Sequence, residues 1–169
     1  MYNGRAQLTQ SDVKKIEAEI DERKYVIRPK LIAEVQEARA QGDLSENFEY
    51  YAAKKAKNEN EGRIRYLERM LKTARVISDS SAEDEVGINN TVTLYVEEDD
   101  EEEKYKIVTS IRGNSLENRI SNESPMGAAL MGHKIGDRVE IKVSDTYSYF
   151  VEIRDIDKTS SDDDDIKKF

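Results

Sequence analysis

The 169-residue sequence contains no cysteine and no tryptophan, and it has a single histidine, His133. Without cysteine the chain has no disulfide framework, no thiolate nucleophile and no cysteine-ligated zinc site, which fits a reducing cytoplasm. His133 lies in a polar segment, residues 132–134, and is expected to be a surface turn residue. Ser/His/Asp and Cys/His catalysis therefore lack the residues they need.

Long apolar runs and phosphate-binding glycine motifs are also missing. None of the eight glycines is spaced as in a P-loop or a dinucleotide fingerprint, so nucleotide hydrolysis and hydride transfer are not expected. No window approaches the roughly 18 apolar residues of a membrane span, and the first ten residues contain no apolar signal-peptide core. The sequence predicts a cytoplasmic protein with no membrane partner.

Charge divides the chain into two unlike parts. The net charge of −9 argues against a general nucleic-acid binder, since binding to phosphates needs clustered Lys and Arg. Residues 1–79 contain 16 Lys and Arg against 14 Asp and Glu, whereas residues 80–169 contain 11 against 22. The two parts are expected to be two domains, which either have different electrostatic partners or of which only the first meets an anion.

The first part has the apolar periodicity of two long helices. Steps of three, four and seven residues connect Ile16, Ile20, Ile27, Leu31, Val35 and Ala38, and a second series contains Ala53, Lys57, Asn60, Ile64, Leu67, Leu71 and Ala74. Pro29 predicts a kink or short break near Arg28, and Gly42 a helix end. Helices of about 30 residues joined by a short turn form an antiparallel coiled-coil hairpin roughly 45 Å long.

The second series also predicts how tightly the hairpin packs along its length. Its half nearest the turn is polar and its other half apolar, so packing is expected to be tightest far from the turn. The hairpin occupies residues 1–79, and its tip is the segment 42–47, with the sequence GDLSEN.

Residues 80–158 show the alternation of a small β-sheet domain, in an α+β fold overall. Apolar residues alternate around positions 92–96, 105–107, 139–143 and 150–153. The acidic run 97–103 is expected to form a hairpin loop, residues 144–146 a tight turn, and residues 125–131 a short helix. Residues 159–169, with four consecutive aspartates at 162–165, predict an acidic disordered tail.

Asp43 and Glu46 in the tip are open to two interpretations. Their spacing is that of a capping box, with Asp43 as N-cap and Glu46 three residues later. Alternatively, two carboxylates at a helix start can present oxygen ligands to a hard cation such as Mg2+. Alone they would bind it weakly, so they would work best by completing a metal site half built by another protein.

The tip and its surroundings resemble a known family. The runs EARAQGDLSENFEYYAAKK and LTQSDVKKIEAEID, together with ISNESPMGAALMGHKIGDRVEI in the second part, resemble the bacterial Gre transcript cleavage factors of the GreA type. The resemblance covers roughly residues 8–156. It implies an antiparallel coiled coil followed by a globular domain with an FKBP-like antiparallel sheet and a short helix.

The resemblance also implies a function, in which a monomer acts on a partner enzyme. The globular domain docks at the mouth of the secondary channel of bacterial RNA polymerase, and the coiled coil enters that channel. Asp43 and Glu46 then act as catalytic and metal-binding residues, helping to hold Mg2+ jointly with the polymerase. The polymerase hydrolyses its own backtracked RNA near the nascent 3′ end, so the factor is not itself an enzyme.

Other site residues follow from the same resemblance, each with a structural alternative. Tyr50 matches an aromatic residue behind the tip that helps seat it in the polymerase. Four cations match the family's RNA-binding basic patch, although a solvated helix face would have the same composition; they are Arg39, Lys54, Lys55 and Lys57. Ser124 and Pro125 match a polymerase-binding segment, although they are also a typical helix start, with serine as cap and proline at the first position.

Two further functions remain open at this stage. Residues 109–115 differ from the family pattern, Phe48 is larger than the residue common at that position, and Glu59 and Asn60 replace apolar residues. The divergence at residues 109–115 would fit a paralogue that binds the same channel and modulates polymerase without cleavage, whereas the intact tip argues against it. A free-standing prolyl isomerase or chaperone is suggested by the fold alone, but three phenylalanines and no tryptophan supply an aromatic proline pocket poorly.

Overall fold

A long helical arm begins the first part of the chain. The computed structural model describes residues 5–42 and 46–168. These residues form two compact units, of which the first contains residues 5–6 and 12–75 and the second contains residues 7–11 and 76–168. After a two-residue strand, β1 (Gln7–Leu8), the arm consists of α1 (Gln10–Glu22), a π-helical turn (Arg23–Ile27) and α2 (Arg28–Ala40).

The helical backbone continues through Pro29, so the short break expected near Arg28 is not found, and the irregularity there is the π-helical turn Arg23–Ile27. The backbone N–H of Arg28 donates to the carbonyl of Arg23, five residues earlier, and the flanking residues Glu22 and Ile27 keep right-handed helical torsions. Proline has no N–H, and its ring would clash with the carbonyl four residues before it in a regular α-helix. The wider π turn accommodates Pro29 while the chain stays helical.

The return arm is a single helix, α3 (Phe48–Thr73), and it packs antiparallel to the first arm. Its 26 residues span about 39 Å at 1.5 Å per residue. The predicted apolar positions face the partner arm, and the most deeply buried are Ile16, Ile64 and Leu67. The coiled-coil hairpin is therefore confirmed.

Polar packing lies in the middle of the hairpin rather than throughout the half nearest the tip. Arg63, only 3% exposed, donates to Glu19 from Nε over 2.9 Å, and Arg23 Nε donates to the same carboxylate oxygen over 2.8 Å. Asn60, 4% exposed, accepts from Arg23 Nη1 and donates to the Arg23 carbonyl inside the π turn. Next to the tip, an apolar cluster contains Val35, Ala38 and Tyr50, which are 5–8% exposed. Farther from the tip, Ile16, Ile64 and Leu67 are 0–2% exposed, so the deepest burial lies far from the tip, as predicted.

The globular unit is built on a five-stranded sheet beside one short helix. Its elements are β3 (Thr91–Val96), β4 (Glu101–Val108), β5 (Arg119–Ser121), α4 (Pro125–Leu130), β6 (Arg138–Lys142) and β7 (Ser148–Asp157). The strand order is β5-β4-β3-β7-β6, antiparallel except for the parallel pair β4–β5, and a bulge lies between Thr93 and Leu94. Another two-residue strand, β2 (Arg75–Val76), precedes this sheet along the chain.

The alternating positions predicted for the sheet form its core. Val92, Leu94, Ile107, Val151 and Ile153 are fully buried. The long acidic loop is shorter than expected, because residues 101–103 belong to β4 and pair with residues 94–96 of β3. The α+β class is confirmed, and no helix among residues 5–42 and 46–168 is long and apolar enough to span a membrane.

The C-terminal segment was expected to be disordered, whereas the structure gives it specific contacts. Residues 158–168 have no helix or strand, yet the backbone N–H of Lys167 donates to the carbonyl of Ile111 over 2.8 Å. The hydroxyl of Ser160 also lies 2.7 Å from the hydroxyl of Thr91 on β3. The tail is thus part of the globular unit.

Candidate functional site

The first arm ends in a turn that requires glycine. Gln41 follows the last residue of α2, and its N–H donates to the carbonyl of Ala38 over 3.3 Å. Gly42 then has a φ of +130°, a torsion that side-chain-bearing residues rarely adopt. The predicted helix end at Gly42 is confirmed.

Asn47, and not Asp43, caps the second arm. The side-chain oxygen of Asn47 accepts from the N–H of Tyr50 over 3.0 Å, which satisfies one of the free donors at the start of α3. Its side-chain nitrogen donates to the carbonyl of Ala38 at the end of α2 over 2.6 Å. One side chain therefore ties the two arms together directly behind the tip.

This cap corrects the capping-box interpretation. Glu46 precedes the N-cap, so it is not the third helical residue that a capping box requires. Its side chain is exposed. Asp43, the other predicted catalytic and metal-binding residue, lies outside the described residues. In the described part of the tip, Glu46 is a carboxylate that faces solvent.

A metal site complete in itself is not found in the described part of the chain. Residues 5–42 and 46–168 contain no group of three or more His, Asp or Glu side chains placed to hold an ion. Mg2+ in proteins commonly keeps several waters and binds through one or two carboxylates.

Tyr50 is buried between the two arms, in the first turn of α3. Its ring is 8% exposed and packs against Val35 and Ala38. The guanidinium carbon of Arg39 lies 5.6 Å from the ring centre, and the ammonium of Lys54 lies 6.0 Å from it. A hydrogen bond with Arg39 lowers the pKa of the Tyr50 hydroxyl, and the charges of Lys54 and Arg39 add to this effect.

The four predicted RNA-binding cations do not all share one environment. Arg39, Lys54 and Lys57 each lower the pKa of Tyr50 through their charge, so these three act on the same ring. Lys55 points to an exposed partner one turn later, Glu59, at a distance of 3.9 Å. Such an exposed pair contributes little to stability, which leaves Lys55 available to other anions.

Two exposed aromatic residues lie in the first turn of α3, and sequence reasoning assigned neither of them a contact role. Phe48 is 84% exposed at the first position of α3, and Tyr51 is 52% exposed. Burying such rings against a partner would be favourable, and their exposure is unusual for residues of their size. The signal in the sequence was three aromatic residues within one helical turn, at positions 48, 50 and 51.

The other predicted contact segment is a short capped helix in the globular unit. The hydroxyl of Ser124 accepts from the N–H of Gly127 over 3.1 Å and donates to the carbonyl of Ser121 over 2.6 Å, and Pro125 is the exposed first residue of α4. A Cβ at Gly127 would lie 2.0 Å from the Ser121 carbonyl oxygen, so glycine is required. The expected helix start is confirmed, and a polymerase-binding role for Ser124 and Pro125 stays a prediction.

Comparison with known proteins covers nearly the whole chain. Residues 6–76 match the family described as "Transcription elongation factor, N-terminal", and residues 81–158 match "Transcription elongation factor, GreA/GreB, C-term". Transcription elongation factor GreA of Streptococcus pneumoniae serotype 19F is 42% identical over 154 residues, spanning 90% of this chain and 96% of the relative. GreA of Streptococcus thermophilus gives the same identity and coverage.

Solved structures of similar proteins are more distant. The GreA factor homolog 1 (Gfh1) of Thermus thermophilus is 25% identical with a TM-score of 0.42, over 90% of this chain and 98% of that protein. A GreA/GreB factor from Nitrosomonas europaea is 18% identical with a TM-score of 0.40, over 90% of this chain and 99% of that protein. With both family matches and relatives at 42% identity, the chain belongs to the GreA/GreB family of transcription elongation factors.

Proposed function

We propose that this elongation factor binds bacterial RNA polymerase as a monomer in the cytoplasm and stimulates cleavage of backtracked nascent RNA. The observation that carries the proposal is the exposed carboxylate of Glu46 between two long helical arms tied together by Asn47. The chain is similar to GreA over 90% of its length. Entry of the hairpin into the polymerase secondary channel would bring Glu46 to the polymerase active site.

Glu46 and Asp43 are proposed to contribute carboxylate oxygens there. A divalent ion shared between these carboxylates and the polymerase would make a bound water more acidic and so supply an attacking hydroxide near neutral pH. The role of the two side chains is to orient that water toward the RNA phosphodiester and to hold the site only while the hairpin is inserted. The factor has no hydrolytic activity of its own in this proposal, and the polymerase provides the remaining groups.

The cations behind the tip are proposed to hold the RNA. Arg39 and Lys54 lie beside the Tyr50 ring, within reach of phosphates that pass the tip. Lysine and arginine bind phosphates with release of counterions, largely without sequence preference. This matches a task in which any displaced 3′ segment must be accepted. Tyr50 is proposed to support these cations and the tip, and Ser124 and Pro125 to contact the polymerase.

An arrested elongation complex with end-labelled RNA tests the proposal. With Mg2+ and the factor, short 3′ RNA fragments are expected at a rate well above that of polymerase alone. The double variant Asp43→Asn/Glu46→Gln should bind the complex as the parent does and release no fragments above background. Strong binding of the parent without cleavage, at saturating Mg2+, would identify a channel-binding modulator instead and contradict the proposal.

A further inference from the structure

The acidic tail lies along one side of the globular unit, on a cluster of cations. The cluster consists of Lys106 on β4, Arg119 on β5 and Arg112 in the 3₁₀ turn Ser110–Arg112 between those strands. The side chains of Lys106 and Arg119 are 13% and 12% exposed, and Arg112 is 2% exposed. Cations buried to this extent need anionic or carbonyl partners, because their desolvation is costly. We call these three residues the cationic cleft.

Asp164 places a carboxylate in the cationic cleft. One carboxylate oxygen lies 2.5 Å from the Lys106 ammonium, and the other lies 3.8 Å from Arg119 Nη1. Among the four consecutive aspartates, Asp164 is partly buried, whereas those at positions 162, 163 and 165 are exposed. The run therefore presents one specific side chain to the cleft, with further negative charge around it.

The cleft also contacts the backbone of the tail. Arg112 Nη1 donates to the carbonyls of Asp162 and Asp164, the latter over 3.1 Å, and Lys106 donates to the carbonyl of Ser161. Further along, the N–H of Lys167 reaches the carbonyl of Ile111. Contacts to three closely spaced backbone carbonyls and to one carboxylate are features of an acidic peptide. A nucleic-acid backbone offers phosphates but no regularly spaced amide carbonyls.

The segment that fills the cleft lies outside the part of the chain that identifies the family. The C-terminal family match ends at residue 158, and the proposed cleavage function uses no residue beyond it. The tail is attached directly after β7, so its effective concentration at the cleft is in the millimolar range or above. A tethered ligand can thus occupy a site whose intrinsic affinity is modest.

We propose that the cationic cleft is a binding site for acidic peptides and that residues 159–168 are its resident, displaceable ligand. While the tail is bound, the cleft is closed to other acidic segments. An acidic segment of a partner protein displaces the tail from the cleft by competition. The tail thereby acts as an intramolecular competitor for that partner surface.

Amide hydrogen exchange of the full-length protein tests the binding of the tail. Amides of residues 159–168 are expected to exchange several-fold more slowly than in an unstructured peptide of the same sequence. Asp164→Asn should raise their exchange rate about tenfold, since a hydrogen bond between charged groups contributes roughly one order of magnitude to an equilibrium. Asp162→Asn is the matched control, because it removes the same charge from an exposed residue. Asp162 contacts Arg112 and Ser11 through its backbone carbonyl, which this substitution leaves in place.

Substitution of a cation in the cationic cleft also has a matched control. Lys106→Gln should release the tail as Asp164→Asn does, whereas Lys104→Gln should leave it protected. Lys104 lies two residues earlier on the same face of β4, and its side chain is exposed. Raising NaCl from about 0.05 M to about 0.5 M should shorten the screening length and speed exchange in the parent.

Competition decides which class of ligand the cleft accepts. A synthetic peptide with the sequence of residues 158–168 should displace the tail and raise the exchange rate of the tail amides. Its concentration, about 10 mM, is chosen to exceed the effective concentration of the tethered tail. A single-stranded oligoribonucleotide of matched charge should not. Unprotected tail amides in the parent would overturn the proposal. So would displacement by the oligonucleotide in preference to the peptide, or failure of both to displace the tail.

Discussion

At the scale of single residues, Asn47 organises the tip. The sequence places three good N-cap residues within five positions, Asp43, Ser45 and Asn47, and their intrinsic capping preferences are similar. The choice falls on Asn47 because its amide nitrogen also reaches the Ala38 carbonyl of the other arm. That second contact depends on how the arms pack, so local sequence reasoning chose the wrong residue.

Replacing Asn47 should loosen the tip. Asn47→Ala removes a helix cap and a hydrogen bond between the arms, and we expect a loss of about 1–2 kcal/mol in the free energy of unfolding of the hairpin. Urea unfolding followed by helical circular dichroism measures this change. Asn58→Ala is the matched control, because Asn58 is exposed within α3 and alanine favours helix. Equal destabilisation by both variants would contradict the role assigned to Asn47.

At the scale of elements, the two arms show what periodicity can and cannot predict. The apolar seam predicted the hairpin, because helical spacing fixes which side chains share a face. It did not predict the π turn or the polar packing beside it. Asn60 and Arg63 satisfy their polar atoms with Arg23 and Glu19 from the other arm, and such pairing is visible only once the arms are aligned.

Glu19 should make the stability of the hairpin depend on pH. Burial alone would raise the pKa of Glu19, but hydrogen bonds from Arg63 and Arg23 outweigh it and lower this pKa. A lowered pKa in the folded state stabilises the protein above the unfolded-state pKa of about 4.3. That contribution is lost as the pH falls through the lower folded-state value.

Glu19→Gln should therefore destabilise the hairpin near neutral pH, by about 2 kcal/mol, since the buried Arg63 loses its counter-charge. The difference between parent and variant should shrink as the pH falls below about 4 and the parent carboxylate becomes protonated. Urea unfolding at several pH values measures it. Glu17→Gln changes an exposed neighbouring carboxylate and should have little effect at any pH. A pH-independent difference for Glu19→Gln would contradict this explanation.

At the scale of the whole molecule, charge is distributed unevenly along the chain. The hairpin part carries a small positive excess and the remainder is strongly acidic, and this division was visible in the sequence. The tail shows the limit of such reasoning. Composition predicted disorder for residues 159–169, since a run of aspartates has no apolar surface to bury. The cleft that receives Asp164 is assembled from three separate elements, and composition cannot reveal it.

The Lys and Arg side chains of the hairpin should determine how strongly binding to a backtracked complex depends on salt. Lys54→Gln is expected to weaken binding and to reduce the slope of log affinity against log salt by about 0.7, the value for one phosphate contact on single-stranded RNA. Fluorescence anisotropy at several salt concentrations measures the slope. Lys72→Gln removes the same charge from an exposed position in the last turn of α3, far from the tip, and should leave the slope unchanged. Equal slopes for the two variants would exclude Lys54 from the RNA contact.

The central claim concerns Glu46, and the rate of RNA cleavage in an arrested complex saturated with factor tests it most directly. Glu46→Gln should reduce the stimulated rate by about a hundredfold, as expected when a group that positions the reacting atoms loses its charge. Glu49→Gln, which changes an exposed carboxylate in the first turn of α3, should cleave at the parent rate. Cleavage by Glu46→Gln at the parent rate, or an equal loss in both variants, would contradict the claim.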